Sequence, residues 1–130
     1  MKRIIFAVIT CAVALSMGGA LLAHHSPSAI FDMGKKFTWT GKLTKVGWVN
    51  PHITMDLETD NGEKWHFESN PPAWFRRVGL ARADFADSLG KKVTLEGVRA
   101  RDGALYGYVL RYVLADGRSM ELQPDIGGNK

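Results

Sequence analysis

The sequence predicts a small, mainly β domain, its strands closed into an antiparallel barrel with one helix, and three observations carry that expectation. Short runs between residues 37 and 122 alternate apolar and polar side chains with a period of two. Turn signals separate them, at Asn50-Pro51, Asp60-Asn61-Gly62, Arg101-Asp102-Gly103 and Asp116-Gly117. One stretch alone, near residues 70–79, carries helix punctuation at both ends.

The first 23 residues stand apart and read as a cleaved signal peptide. Lys2 and Arg3 form a positive start, Ile4 to Met17 is apolar and uncharged, and Gly18, Gly19 and Ala20 break the run. Cleavage fits after Ala20 or after Ala23. The alternative is an uncleaved anchor, since Ile4 to Ala23 could just span a bilayer. Cys11 lies inside this leader behind Thr10, which does not fit a lipoprotein site, so the mature chain holds no cysteine and no disulfide. About 107 residues then remain, one domain by size. The formal charge of +4 falls to +2 with the leader, too little for a nucleic-acid footprint. These features predict export to the periplasm, with membrane contact only through the leader before cleavage.

Residues 24–36 form a polar lead-in, and the barrel domain is expected over 37–122. In "FTWTGKLTKVGWVN" the apolar phase runs through Phe37, Trp39 and Leu43, then shifts to Val46 and Trp48. Such a shift calls for a bulge, at Gly41 or at the Thr44–Lys45 step. Next, "HITMDLETD" points Ile53, Met55 and Leu57 inward, and "EKWHFES" does the same with Trp65 and Phe67. Asn70 is the expected N-cap of the helix, Pro71 its first residue and Gly79 its stop. Residues 80–90 connect, with a helical turn near 84–89. Strands resume at "KKVTLEGVRA" and "ALYGYVLRYVL", a short one follows at "RSMEL", and 123–130 reads as a disordered tail. A long bulged first strand, with the helix between the third and fourth strands, is the order of an OB-fold-like barrel. An open antiparallel sheet packed on the helix is the alternative.

The chain also resembles a known family. "AHHS" after the leader, "FD" at Phe31–Asp32, "TGKLTKVGWVNPH" at 40–52, Trp65, Phe67 and Glu68, Arg77 and Gly79, and "RARDG" at 99–103 are similar to small exported proteobacterial proteins catalogued as domain of unknown function 6152. The resemblance implies an exported, barrel-like domain. It implies no catalytic residue.

All four histidines, His24, His25, His52 and His66, fall after the leader and are the candidate metal ligands, with copper or zinc as the metal. Hairpin register tests two of them. A two-residue loop would set Leu57 against His66 and mix the faces, whereas a three-residue Asp60-Asn61-Gly62 loop sets Leu57 against Trp65 and Met55 against Phe67. That register puts Asp56 opposite His66, Glu58 opposite Lys64 and His52 opposite Asn70. His52 and His66 would then lie roughly 13 Å apart along the strands, too far to share an ion unless the N-terminal pair reaches over. A cut after Ala23 frees the amine of His24 as a copper ligand. A cut after Leu22 makes His25 third in an Ala-His-His start, and a cut after Ala20 removes the amine from both schemes. For His52 the plainer role is a hydrogen bond that fixes the Asn50-Pro51 corner.

No nucleophile elbow, phosphate loop or His-Glu-x-x-His run is present, so no catalytic residue is assigned and no cofactor is required. The outer face of the second and third strands carries three acids and no aromatic, which disfavours single-stranded nucleic acid. Trp39, Trp48, Trp65, Trp74 and Phe75 suit a core, and Tyr106, Tyr108 and Tyr112 share one strand phase, which suits barrel core with hydroxyls at the rim, the lining of a groove being the alternative. The expectation is a non-catalytic periplasmic binding module for an envelope protein or small ligand, with Asp56, Glu58, Lys64 and Glu68 as candidate contacts. The alternative is a metal-binding envelope protein.

Overall fold

The structure, a computed structural model, describes residues 27–122. The expected leader, Cys11, His24, His25 and the tail at 123–130 lie outside the described residues. Nine elements follow in order: α1 Pro27–Ile30, β1 Phe31–Gly47, β2 Thr54–Thr59, β3 Lys64–Glu68, α2 Pro72–Arg77, α3 Arg82–Ala86, β4 Lys92–Ala100, β5 Tyr106–Val113 and β6 Ser119–Glu121.

The strands form one sheet in the order β3-β2-β1-β4-β5-β6, and β3 also pairs with β5. Five strands therefore close into a ring, β1-β2-β3-β5-β4, with β6 attached to β5. All pairings are antiparallel except β3–β5.

The phase shift in β1 has the expected cause. Leu43 pairs with Leu57 and Lys45 with Asp56, so Thr44 is the extra residue, and its hydroxyl donates to the Asp56 carbonyl oxygen at 3.1 Å. The bulge turns the strand by one residue, which lets Val46 and Trp48 rejoin the core that Trp39 and Leu43 began. Residues 41–42 are where β1 passes from one neighbour to the other, pairing with both β2 and β4.

Four features differ from the sequence reading. First, β1 begins at Phe31, not Phe37. Phe31 is buried against Tyr106 and Tyr108, with ring centroids 5.0 and 5.6 Å away, and pairs with Ala100. The ladder then jumps to Lys36, so the polar residues between hide the strand from a period-two pattern. Second, β5 carries its own bulge: Glu96 pairs with Arg111 but Gly97 with Val109. The extra residue, Leu110, splits the tyrosines. Tyr112 joins the main core, while Tyr108 packs with Phe31, Val98 and Ala100 on the other side of the sheet.

Third, the expected helix and the helical turn expected near 84–89 are two short helices, α2 and, two residues earlier than expected, α3. Gly79, at φ +82°, ends the first, as its lack of a Cβ allows. The second is anchored by Asp84, whose carboxylate accepts the Ala81 N–H at 2.8 Å and pairs with Arg118 at 2.8 Å. The Ala81 amide first, and Arg118 next, hold the Asp84 carboxyl below the ordinary carboxylate value. Fourth, α2 starts at Pro72 with Pro71 as its cap, and Asn70 is no N-cap. Its side chain is fully buried and accepts the Tyr108 hydroxyl at 2.7 Å.

The helices seal one end of the ring. Phe75 and Phe85 meet edge to face at 5.5 Å, and Trp48 lies 5.6 and 5.5 Å from them. Trp39 fills the middle, 5.0 Å from both Trp65 and Phe67. Aromatic pairs of this kind add about 0.5–1.5 kcal/mol each beyond burial.

Gly97 sits at the β5 bulge, where a Cβ would run into the Tyr108 carbonyl oxygen. Backbone on both strands leaves no flexible group to yield. Gly97→Ala is therefore expected to destabilise the fold by about 1–3 kcal/mol, the usual cost of overpacking. Urea unfolding measures this as a lower midpoint with an unchanged slope.

Candidate functional site

The outer face of β2, β3 and β5 gathers most of the candidate residues, because side chains two apart on a strand share a face. The β2–β3 register is the one predicted: Asp56 faces His66, Leu57 faces Trp65 and Glu58 faces Lys64. Thr59 accepts from Gly62 and donates to Glu63, which closes the three-residue loop at Asp60-Asn61-Gly62. His66 Nδ1 lies 2.6 Å from Asp56 Oδ1. With the two side chains 51% and 37% exposed, solvent screens the pair, so it contributes about 0–1 kcal/mol. Thr44, Asp56, Glu58, Lys64 and His66 line an open groove of about 300 Å³.

The β3–β5 pairing extends this face. His66 is opposite Tyr106 and Glu68 opposite Tyr108. The His66 and Tyr106 rings stack with centroids 5.7 Å apart and planes inclined by 18°. Tyr106 and Tyr108 were not among the predicted site residues, because no local period encodes a parallel contact between distant strands.

His52 belongs to the corner rather than to a strand. The Asn50–Pro51 bond is cis, and Ile53 exchanges backbone hydrogen bonds with Ser69 and Asn70. From just outside that rung, the His52 ring turns back to Glu68, with Nδ1 3.2 Å from Oε2. It also stands perpendicular to the Tyr108 ring at 6.4 Å. His66 and Glu68 are two residues apart on one strand face, roughly 7 Å. His52 thus has Glu68 as its carboxylate neighbour and His66 has Asp56, one strand step apart on the same face.

Of the four predicted contact residues, Asp56, Glu58 and Lys64 share the groove. Glu68 lies beyond it, with His52 on one side and Tyr106 on the other. His24 and His25 lie outside the described residues. Among the described residues, no group of three or more His, Cys, Asp or Glu is arranged to hold a metal ion. Nor is any described helix long and apolar enough to cross a membrane.

A family model matches residues 12–109. The chain belongs to DUF6152, a family of unknown function. No curated protein matches it. The DUF6152 match covers every strand of the ring up to Val109, and so takes in His52, Asp56, His66, Glu68 and Tyr106 together.

The surroundings of two phenols on this DUF6152 chain favour the neutral form. Burial, and then the neighbouring Glu68 carboxylate, push the Tyr106 phenol well above its ordinary value near 10. Burial does the same to Tyr112 inside the core. A raised acid contributes stability that is complete below the unfolded value near ~10 and is lost as pH climbs toward the folded one. Phenolate absorbance of the folded chain is expected to lag that of the unfolded chain on alkaline titration. Glu68→Gln should bring the Tyr106 transition to lower pH and leave Tyr112 in place. Identical titration of the variant and the parent would refute the Tyr106–Glu68 contact.

Proposed function

We propose that this chain is an exported, non-catalytic binding module of the periplasm. Its framework is an OB-fold-like barrel, and its ligand face is the outer side of β2, β3 and β5. The ring order β1-β2-β3-β5-β4, the parallel β3–β5 pairing and the helices between β3 and β4 support the barrel assignment. The charged start, apolar run and small-residue break of residues 1–23 support export.

The observation that carries the functional reading is the row of polar side chains along one face. Asp56, His66 and Tyr106 adjoin Glu68 and His52 there, beside an open groove. The row alternates acids with rings that can donate hydrogen bonds, which suits a polar partner. The partner class is an envelope protein or a small polar ligand. The experiment is capture from an envelope fraction on immobilised mature chain, beside the variant Asp56→Ala/Glu68→Ala. A component kept by the parent and lost by the variant is the expected result. Equal retention by both, or no capture and no ligand-dependent change in melting, would sink the reading.

One observation favours a second reading, a copper or zinc site. His52 and His66 each set Nδ1 against a carboxylate, and neither Nε2 has a protein partner among the described residues. A carboxylate behind the ring is how metal-bound histidines are oriented. His24 and His25 would supply further ligands. Titration with Cu(II) or Zn(II), followed by NMR of the histidine rings, decides it. The His66 and His24 signals should change together at one equivalent, and rings that stay unmoved would exclude the site.

A further inference from the structure

The end of the ring away from the helices carries an arginine on an inward strand phase. Val93 and Leu95 are buried in the main core, and Arg99 continues their phase along β4. Its guanidinium carbon lies 5.0 Å from the Phe37 ring centroid and 4.8 Å from that of Trp65. Lys35 Nζ stands 5.2 Å over the same Phe37 ring. A cleft of about 410 Å³ opens here, and Lys35, Phe37, Arg99, Arg101 and Gly103 line it. Among the described residues, the acid on its wall is Asp32, whose Oδ1 accepts the Gly34 N–H at 3.2 Å.

The environment of Arg99 is unusual in what it lacks. A part-buried guanidinium ordinarily meets a carboxylate, as Arg111 meets Glu96 on the neighbouring strand. Among the described residues, no carboxylate lies within ion-pair distance of Lys35, Arg99 or Arg101. Among the described residues, Arg99 has ring contacts and donates no side-chain hydrogen bond. The two rings restrain the planar fork and leave its five N–H donors free for a ligand, the condition for bidentate capture of an oxyanion. Three cations facing one cleft repel one another and attract an anion. Phe37 and Ala100 add apolar wall on which the body of a small ligand can rest.

We propose that this mouth is a binding site for a small molecule bearing an oxyanion, a carboxylate or a phosphate, gripped by Arg99 and steered by Lys35 and Arg101. It is separate from the β2–β3–β5 face and does not depend on the function proposed above. The mature chain, titrated with benzoate and with inorganic phosphate at constant ionic strength held by chloride, provides the test. The Arg99 side-chain N–H and the Trp65 indole N–H are followed by NMR. A saturable shift of both signals with either probe is expected, and the tighter probe identifies the oxyanion. Arg99→Gln should weaken binding about tenfold or more, as loss of a charge-assisted fork does. The rim variant Arg101→Gln, exposed and remote from the core, should weaken it by a smaller factor and keeps the test open should Arg99→Gln fail to fold. Shifts no larger than those from chloride alone overturn the proposal, as does undiminished binding in Arg101→Gln and a folded Arg99→Gln. A response to phosphatidylglycerol vesicles, with none to either free anion, overturns the small-molecule form in favour of a membrane surface.

Discussion

The parallel pairing of β3 with β5 runs from His66–Tyr106 to Glu68–Tyr108, and it turns an open sheet into a ring. Without it, β3 would be a free edge with unpaired backbone groups beside an aromatic core. With it, Trp39, Trp65 and Phe67 gain a closed wall. The same rungs set the outer surface, since Tyr106 and Tyr108 meet His66 and His52 only where β5 comes alongside β3. Gly107 makes the approach possible: a Cβ there would lie 2.8 Å from the Phe67 ring.

Two bulges adapt the strands to that closure. Thr44 re-aims the end of β1 toward the helices, and Leu110 re-aims the end of β5 toward the same aromatic seal. Each converts one strand with a uniform pattern into two segments that face different surroundings. On β5 this yields two unlike tyrosines four residues apart, one in the main core and one in the smaller outer cluster with Phe31.

Local chemistry made part of this legible in the sequence. The β2–β3 register could be read because a wrong loop length would have mixed apolar and charged faces, and the Thr44 bulge because it broke a clean alternation. The start of β1 at Phe31 could not be read, since its next rung is Lys36 and the residues between are polar. Asn70 resembled a helix cap in sequence, yet the structure gives it a buried hydroxyl to bind. The tyrosine phase failed for the reason the β1 phase succeeded: an extra residue sat inside an unbroken apolar run, where no pattern records it. Of the site, the Asp56–His66 pair was readable from one hairpin. The links of Glu68 to His52 and Tyr106, and the Arg99 mouth, arise from contacts between strands distant in sequence.

The 17-residue β1 has a kinetic consequence. Its C-terminal part pairs with nearby β2, so the meander from residue 41 to 68 can form from local contacts alone. Its N-terminal part waits for β4, which lies far along the chain, and the ring closes only when β5 arrives. Folds dominated by such distant pairings form slowly, in milliseconds to seconds. During that interval β1 is an exposed edge, open to pairing with another copy. Lys35, Lys36 and Lys42 lie along it. Charges of this kind discourage strand addition, so these lysines protect the half-folded chain from association before the ring has closed.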